Sequence, residues 1–313
     1  YDETSRFNKV AFPGKNTPIL EIVDFLNARA RENQWGFVDF NRPMVAINQW
    51  EQAEDSMYTL CGKDRIHPST DGHLVMAYLF LKAQGLAGKP VADIRIDGAG
   101  KKVTRSDNCR VSDLSVSSDN LTFTYEAKSL PYPIDTSYYD NEKHTQADAL
   151  SVIPFMDEMN YEGLSVSGLS DGYYGLTIGG EFIGRFTARE LERGINMALL
   201  QNTPQYKQAM KIRQMNEERW LKERKMREFY WVEYNLMRKT GMLWACNEAA
   251  VDTLRKYRPH DIFLQWNGDL WLQYMHKGIR EDCVNEQQDL VNRIYEQNKP
   301  IPLRIEIKKF TDL

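Results

Sequence analysis

Two residues in the segment 60–69 could together move a proton. Asp64 lies three positions before His67. At this spacing the chain can fold back so that the aspartate carboxylate accepts the proton on imidazole Nδ1, which fixes the ring tautomer and leaves Nε2 free as a base. Pro68 stiffens the backbone after the histidine and limits where the ring can point. Such a pair can activate a serine hydroxyl, but an Asp and a His close together in a loop are also common without any catalytic role.

The surrounding elements predict that this segment is a loop on an α/β scaffold. Apolar positions at helical spacing predict a helix with one buried face over residues 16–30, and residues 37–40 are typical of a buried strand. Residues 43–50 indicate a short helix. Ser69 or Thr70 is a suitable N-cap for a second strong helix directly after the Asp/His loop. The first 88 residues therefore form a predicted α/β domain, and loops on such scaffolds often carry catalytic groups.

The pattern changes to period two after residue 88 and to helix after residue 187. Alternating apolar residues and Asp-Gly or Asp-Asn turns predict a small antiparallel β-sandwich over residues 89–187, with a helical excursion near 149–161. Helical spacing then dominates, so residues 188–313 are expected to form a helical extension. The predicted protein is multidomain and of the α/β class.

One motif in the β region imitates a catalytic one. Residues 168–172, Gly-Leu-Ser-Asp-Gly, match the G-x-S-x-G pattern of a nucleophile elbow, which requires a strand followed by a helix. Strand-like residues stand on both sides, at 164–166 and 173–178. We therefore interpret 170–172 as a β-hairpin turn that pairs these two strands, and not as a nucleophile site.

The Asp/His loop resembles the last signature block of the SGNH/GDSL-type ester hydrolases. The resemblance lies in Asp64-Arg65-Ile66-His67-Pro68 followed by Asp71-Gly72-His73-Leu74, of which Asp-x-x-His is the specific part. It extends over residues 1 to about 205 and is weaker after residue 88. It implies that this chain carries part of a three-layer α/β/α domain, with His67 as the general base of a catalytic dyad or triad, Asp64 as its orienting partner, and no cofactor.

The family's other catalytic groups lie in sequence blocks that precede the region matched here. They are a serine in a Gly-Asp-Ser block and a Gly and an Asn of the oxyanion hole, and no Gly-Asp-Ser occurs in the 313 residues. We expect the N-terminal part of the same protein to supply them. Because nucleophile, base and oxyanion donors act as a unit, the chain alone is expected to be inactive. The resemblance implies an esterase that acts on a small-molecule or carbohydrate ester, such as an acetylated carbohydrate.

Two other functions compete with this interpretation. Asp64, His67, Asp71 and His73 are close in sequence and could hold a metal, but a helix that begins at Thr70 gives the last of them no reason to converge with the others. We therefore expect no metal. The alternative function is a non-catalytic carbohydrate- or protein-binding or assembly module, in which the β and helical regions carry the activity. The tail is rich in aromatic residues, which can stack on sugars but more often pack helix on helix.

Composition excludes several further classes. The 40 basic and 44 acidic residues give a net charge of −4 and are well mixed, so no nucleic-acid partner is expected. No apolar run approaches the roughly 18–20 residues that cross a bilayer. The chain begins with Tyr1 and shows no leader, so we expect an export signal to have been removed or to lie upstream, and we expect a secreted or periplasmic protein. The four cysteines could remain free or form up to two disulfides, with Cys246–Cys283 as the first pair to test.

Overall fold

The computed structural model describes residues 1–7, 12–138 and 144–310. They form two compact units. The first comprises Tyr1–Tyr206 and Ile301–Leu313, and the second comprises Lys207–Pro300. The chain is thus a mixed α/β protein with a helical unit near its C-terminus. The helical unit starts later than the predicted extension over 188–313 and ends before the last strand.

Three helices lie in the described part of the chain before residue 88. They are α1 (Asn16–Asn33), α2 (Asn41–Glu51) and α3 (Thr70–Ala83), and all three were predicted. The predicted strand over residues 37–40 was wrong, because these residues form no β-ladder. A strand needs a neighbour for its backbone N–H and C=O groups, and no described segment pairs with this one.

The buried helix of this region is α3, not α1. Leu74, Val75 and Tyr78 of α3 are at most 4% exposed, and they pack with Leu60 and the 3₁₀ helix Gln146–Ser151. On α1 only Ala30 is buried, and three apolar side chains are about half exposed or more: Ile22 57%, Phe25 61% and Leu26 49%. The predicted buried face of α1 is therefore largely open to solvent in this chain.

Nine strands of the described residues build a two-sheet sandwich. They are β1 (Ala92–Asp97), β2 (Lys102–Asp107), β3 (Cys109–Val116), β4 (Asn120–Ala127), β5 (Glu162–Ser167), β6 (Tyr173–Ile178), β7 (Glu181–Thr187), β8 (Ile195–Asn196) and β9 (Leu303–Lys309). One sheet has the order β2-β1-β5-β8 and the other β3-β4-β9-β6-β7. All neighbours are antiparallel except β1 and β5. Apolar residues such as Ile94, Phe123, Leu164 and Ile305 of both sheets share one core.

Several connections within the sandwich differ from the prediction. Strands β5 and β6 do not pair with each other, because they lie in different sheets. The segment 168–172 is therefore a crossing between sheets and not a hairpin turn. The expected helical excursion consists of the 3₁₀ helix Gln146–Ser151 and the short helix α4 (Phe155–Glu158), and the short helix α5 (Ala188–Arg193) follows β7. Alternating residues identify a strand but do not identify its partner.

The most distant strand in sequence, β9, lies at the centre of the five-stranded sheet. It pairs with β4 on one side and with β6 on the other. Its alternate residues Leu303, Ile305 and Ile307 are buried. This segment and β8 fall within the range predicted to be helical, and both belong to the sandwich instead. The apolar residues of β9 alternate along the sequence, and this period of two is the pattern of a strand and not of a helix.

The second unit is helical, as predicted. The described helices here are α6 (Pro204–Val232), which continues into a π-helical turn Glu233–Met237, α7 (Glu248–Tyr257), α8 (Ile262–Tyr274) and α9 (Lys277–Gln297). Buried Glu233 accepts hydrogen bonds from Trp271 Nε1 at 2.8 Å and from the Trp244 backbone N–H at 2.9 Å. This carboxylate therefore joins three parts of the helical core.

All four cysteines are free, so of the two alternatives left open by the sequence the structure has free thiols, and Cys246 does not pair with Cys283. The Cys246 thiol lies 3.3 Å from His276 Nδ1, whereas buried Cys283 contacts the backbone oxygen of Lys222 at 3.6 Å. No helix among residues 1–7, 12–138 and 144–310 combines the length and the apolar composition that crossing a bilayer requires.

Candidate functional site

The Asp64/His67 segment is a narrow loop closed by an antiparallel β-bridge between Cys61 and Pro68. The Gly62 N–H donates to the His67 carbonyl at 2.8 Å, and the Ser69 N–H donates to the Leu60 carbonyl at 2.9 Å. Helix α3 begins immediately afterwards. The loop is therefore fixed at its base by backbone hydrogen bonds, and its tip carries the two candidate catalytic side chains.

The structure brings Asp64 and His67 together as the spacing predicted. His67 Nδ1 and Asp64 Oδ2 are 2.5 Å apart. The other carboxylate oxygen, Oδ1, accepts the backbone N–H groups of Ile66 at 2.9 Å and of His67 at 3.0 Å. With both carboxylate oxygens occupied, the aspartate holds the ring through Nδ1 and leaves Nε2 as the free nitrogen.

The charge state of Asp64 suits this task. Partial burial raises its pKa, but the hydrogen bonds from the His67 ring and from the two backbone N–H groups outweigh burial and lower the pKa to about 2. The carboxylate is therefore ionised at neutral pH and can stabilise a proton on the imidazole. The described residues leave 84% of the His67 side chain and 48% of the Asp64 side chain open to solvent. They hold the pair in place without enclosing it in a cleft.

Arg65, between the two candidate residues, anchors the loop to the start of the chain. Its backbone is in the left-handed region, with φ of 61°, and its side chain is 1% exposed. The guanidinium donates to the backbone oxygens of Asp2 at 3.2 Å and Ser5 at 2.5 Å, and the Asp2 N–H donates to the Arg65 carbonyl at 3.1 Å. Sequence reasoning missed this role because the partners are about sixty positions apart.

A second acidic residue, Asp71, is fully buried beneath the loop. Its Oδ1 accepts hydrogen bonds from the Ser69 hydroxyl and, at 2.8 Å, from the Gly72 N–H. Its Oδ2 has no hydrogen-bond partner among the described residues and lies 3.9 Å from His144 Nδ1. Burial raises the pKa of Asp71, although the Ser69 hydrogen bond and the charge of His144 oppose the rise. His144 therefore faces this carboxylate.

The four residues weighed as metal ligands do not converge. His73 is exposed on the first turn of α3, whereas Asp71 is buried. Across the described ranges, with their gaps at 8–11, 139–143 and 311–313, no three His, Cys, Asp or Glu side chains are placed to hold a metal ion. Ser170, of the elbow-like motif, lies on the sandwich, where its hydroxyl accepts a hydrogen bond from Lys309 at 2.8 Å.

Gly72 allows α3 to approach the base of the loop. A Cβ at this position would lie 2.1 Å from the backbone oxygen of Leu60, so either the helix or the loop must shift. We expect Gly72→Ala to lower the free energy of unfolding of the first unit by about 1–3 kcal/mol, as overpacking does. Gly62→Ala, in the same loop, meets only an ordinary contact of 3.7 Å and is the control. Urea denaturation, monitored by hydrogen exchange of peptides from α3, measures the free energy of unfolding of both variants. Equal stability of the two variants would contradict the packing argument.

Comparison with known proteins identifies the family of the chain. The chain is similar to a gut microbial diltiazem-metabolizing enzyme of known structure, with 40% sequence identity and a TM-score of 0.88 over 99% of this chain and 72% of that one. Residues 210–299, within the helical unit, match the model of the diltiazem deacetylase C-terminal helical domain. No curated protein matches the chain. With this identity over nearly its whole length, the chain belongs to the diltiazem deacetylase family of ester hydrolases.

Proposed function

We propose that this chain carries the general base of a serine ester hydrolase of the SGNH/GDSL type, and that the nucleophilic serine and the oxyanion donors belong to polypeptide outside these 313 residues. The contact of 2.5 Å between His67 Nδ1 and Asp64 Oδ2 is the observation that carries the proposal. In this contact Asp64 occupies the Nδ1 side of the ring, so Nε2 is the nitrogen left to act as the base. The family membership of the chain supports ester hydrolysis as the reaction.

In the proposed reaction, His67 Nε2 takes the proton from the serine hydroxyl as its oxygen attacks the ester carbonyl. Ionised Asp64 stabilises the resulting imidazolium. The tetrahedral intermediate collapses when the imidazolium returns this proton to the leaving alcohol, which leaves an acyl-enzyme. A water molecule then attacks the acyl group, with the same nitrogen as base, and the carboxylic acid and free serine are regenerated.

Three exposed features of the first unit support a partner segment in the rest of the protein. The His67 ring is mostly exposed, the apolar residues Phe25 and Leu26 of α1 face solvent, and residues 37–40 have no β-ladder. Soluble domains seldom leave such a row of apolar side chains uncovered. In the proposal, the N-terminal part of the same protein covers α1, pairs with 37–40 as a sheet and closes the active site over His67.

The proposed substrate is an acetyl ester of a small molecule or a carbohydrate. The related enzyme is described as diltiazem-metabolizing and the family as deacetylases, which supports an acetyl group. The carbohydrate alcohol and a secreted or periplasmic location are part of the proposal and follow from the SGNH/GDSL resemblance. Cell fractionation with detection of the protein checks the location, and its recovery only in the cytoplasm would contradict this part.

Covalent labelling of the complete protein tests the mechanism. A fluorophosphonate probe, which reacts with activated serines, is expected to modify one serine outside these 313 residues, and the labelled protein should lose hydrolysis of 4-nitrophenyl acetate. Peptide mass spectrometry locates the modified residue. Modification of Ser170, or a complete protein that neither reacts with the probe nor hydrolyses the ester, would overturn the proposal; the second result would favour the non-catalytic module.

A further inference from the structure

The helical unit has an open cleft on one face of α6. Its lining residues on this helix are spaced by three or four positions and therefore share one face, and α8 contributes one more. They are Trp220, Arg224, Arg227, Glu228 and Trp231 of α6 and Asn267 of α8. We call this feature the Trp220–Trp231 cleft. It has a volume of about 350 Å³, at the lower end of the range of small-molecule sites.

Aromatic faces in and beside the cleft are only partly used for packing. Trp220 is 46% exposed, and Trp231 is half-buried against Phe263, with ring centroids 5.2 Å apart. Phe263 is itself 48% exposed and contacts Trp266, which is 66% exposed. These rings differ from the buried Phe229 and Trp271 of the same unit, which do pack helix on helix as expected. An indole face open to solvent can stack on another flat or apolar surface.

Several polar groups of the cleft have unused hydrogen-bonding capacity. Within the part of the chain that the structure describes, no hydrogen bond is made by the half-buried Asn267 amide or by the indole N–H of Trp220 or Trp231. The amide offers two donors and an acceptor, and each indole offers one donor. A ligand that fits here must therefore present both apolar faces and neutral hydrogen-bonding groups.

The charges of the cleft argue against an anionic ligand. Arg224 Nε lies 2.7 Å from Glu228 Oε1, and Arg227 Nε lies 3.3 Å from Glu223 Oε1. Each guanidinium is thus already paired with a carboxylate one turn away on the same helix, after Arg224 and before Arg227. The Arg227 guanidinium also lies 5.7 Å from the centroid of the Trp220 ring. An acidic ligand would have to compete with these ion pairs, whereas a neutral ligand need not.

We propose that the Trp220–Trp231 cleft binds an uncharged sugar, of one or two pyranose rings. The C–H face of a pyranose stacks on indole, and its hydroxyl groups can accept from the indole N–H groups and both donate to and accept from the Asn267 amide. The cleft volume accommodates a short saccharide. The residues that carry this binding are all on α6 and α8, and none belongs to the Asp64/His67 loop.

Calorimetric titration of the full chain tests the cleft. The probes are the neutral disaccharides cellobiose, xylobiose, mannobiose and galactobiose, and a uronic acid disaccharide is the charged comparison. At least one neutral probe is expected to bind saturably at millimolar concentration or below, and the charged one more weakly. Trp220→Ala is expected to weaken binding about tenfold, because it removes a stacking face, and Asn267→Ala about fivefold.

Trp50→Ala is the matched control, because Trp50 lies on α2 in the other unit and is 79% exposed. It should leave saccharide binding unchanged. Binding of none of the neutral probes, an equal loss in Trp50→Ala, or equal binding of the charged disaccharide would overturn the proposal. So would sedimentation showing that the chain self-associates and that Trp220→Ala abolishes this, which would identify the cleft as a contact between copies. Circular dichroism verifies that the variants fold.

Discussion

His67→Ala is expected to reduce kcat/KM of the complete protein for 4-nitrophenyl acetate by about three orders of magnitude or more. In the proposed mechanism His67 Nε2 takes the proton of the serine hydroxyl, and alanine removes this atom. The loop itself should survive, because its base is held by the Cys61–Pro68 bridge and by Arg65, neither of which needs the imidazole. Steady-state kinetics and a thermal melt of the variant measure the two effects separately.

Asp64→Asn tests the same pair by changing which nitrogen of the His67 ring carries the proton. The asparagine carbonyl can still accept the Ile66 and His67 N–H groups, so the loop geometry is retained. Its amide nitrogen, however, would face Nδ1 and donate to it, which moves the ring proton to Nε2 and removes the base. We expect a loss comparable to that of His67→Ala. His73→Ala, an exposed histidine on α3, should retain full activity. A rate within tenfold of wild type in His67→Ala would remove this residue from the mechanism.

The local parts of the site could be predicted from the sequence. The Asp64–His67 contact follows from a spacing of three, and the helix that follows the loop is marked by its N-terminal residues. Both depend on neighbours within a few positions, which the sequence places together. The parts that hold the loop could not be predicted in this way. Arg65 and Asp71 find their partners in Asp2, Ser5 and His144, and such distant contacts exist only in the folded chain.

The sandwich illustrates the same limit. Period-two alternation predicted a sandwich over residues 89–187, yet the wrong partner was assigned to β5. Its neighbours are β1, which lies in parallel about 70 residues earlier, and β8. The central strand β9 arrives from beyond the whole helical unit. Pairing depends on which edges are free once the core has formed, and alternation carries no such information.

Glu162 occupies the sandwich core between the two sheets. It lies on β5 and is 0% exposed; Tyr125 on β4, in the other sheet, donates to its Oε1 at 2.8 Å, and Gln205 Nε2 donates to the same oxygen at 3.2 Å. Among the described residues no Lys or Arg pairs with it. Burial raises its pKa to about 7, against the lowering effect of the two hydrogen bonds. The sandwich therefore folds with this carboxyl group protonated below neutral pH.

Glu162→Gln is expected to remove a pH dependence of stability. Below pH 4.5 the carboxyl is protonated in both states; between 4.5 and about 7 only the folded state keeps the proton, so the free energy of unfolding falls as pH rises, by about 3 kcal/mol in all. Glutamine cannot ionise, so the variant should gain this amount relative to wild type between pH 4.5 and 8. Any constant packing difference cancels in that change.

Hydrogen exchange of peptides from β4 and β5, corrected for intrinsic rates, measures the stability of the sandwich separately from the helical unit. Glu192→Gln, at an exposed position on α5, is the control and should follow wild type at every pH. If Glu162→Gln also follows wild type from pH 4.5 to 8, the carboxyl group ionises in the folded core as readily as in the unfolded chain. The Tyr125 hydroxyl and the Gln205 amide would then suffice to hold a buried negative charge without a cationic partner.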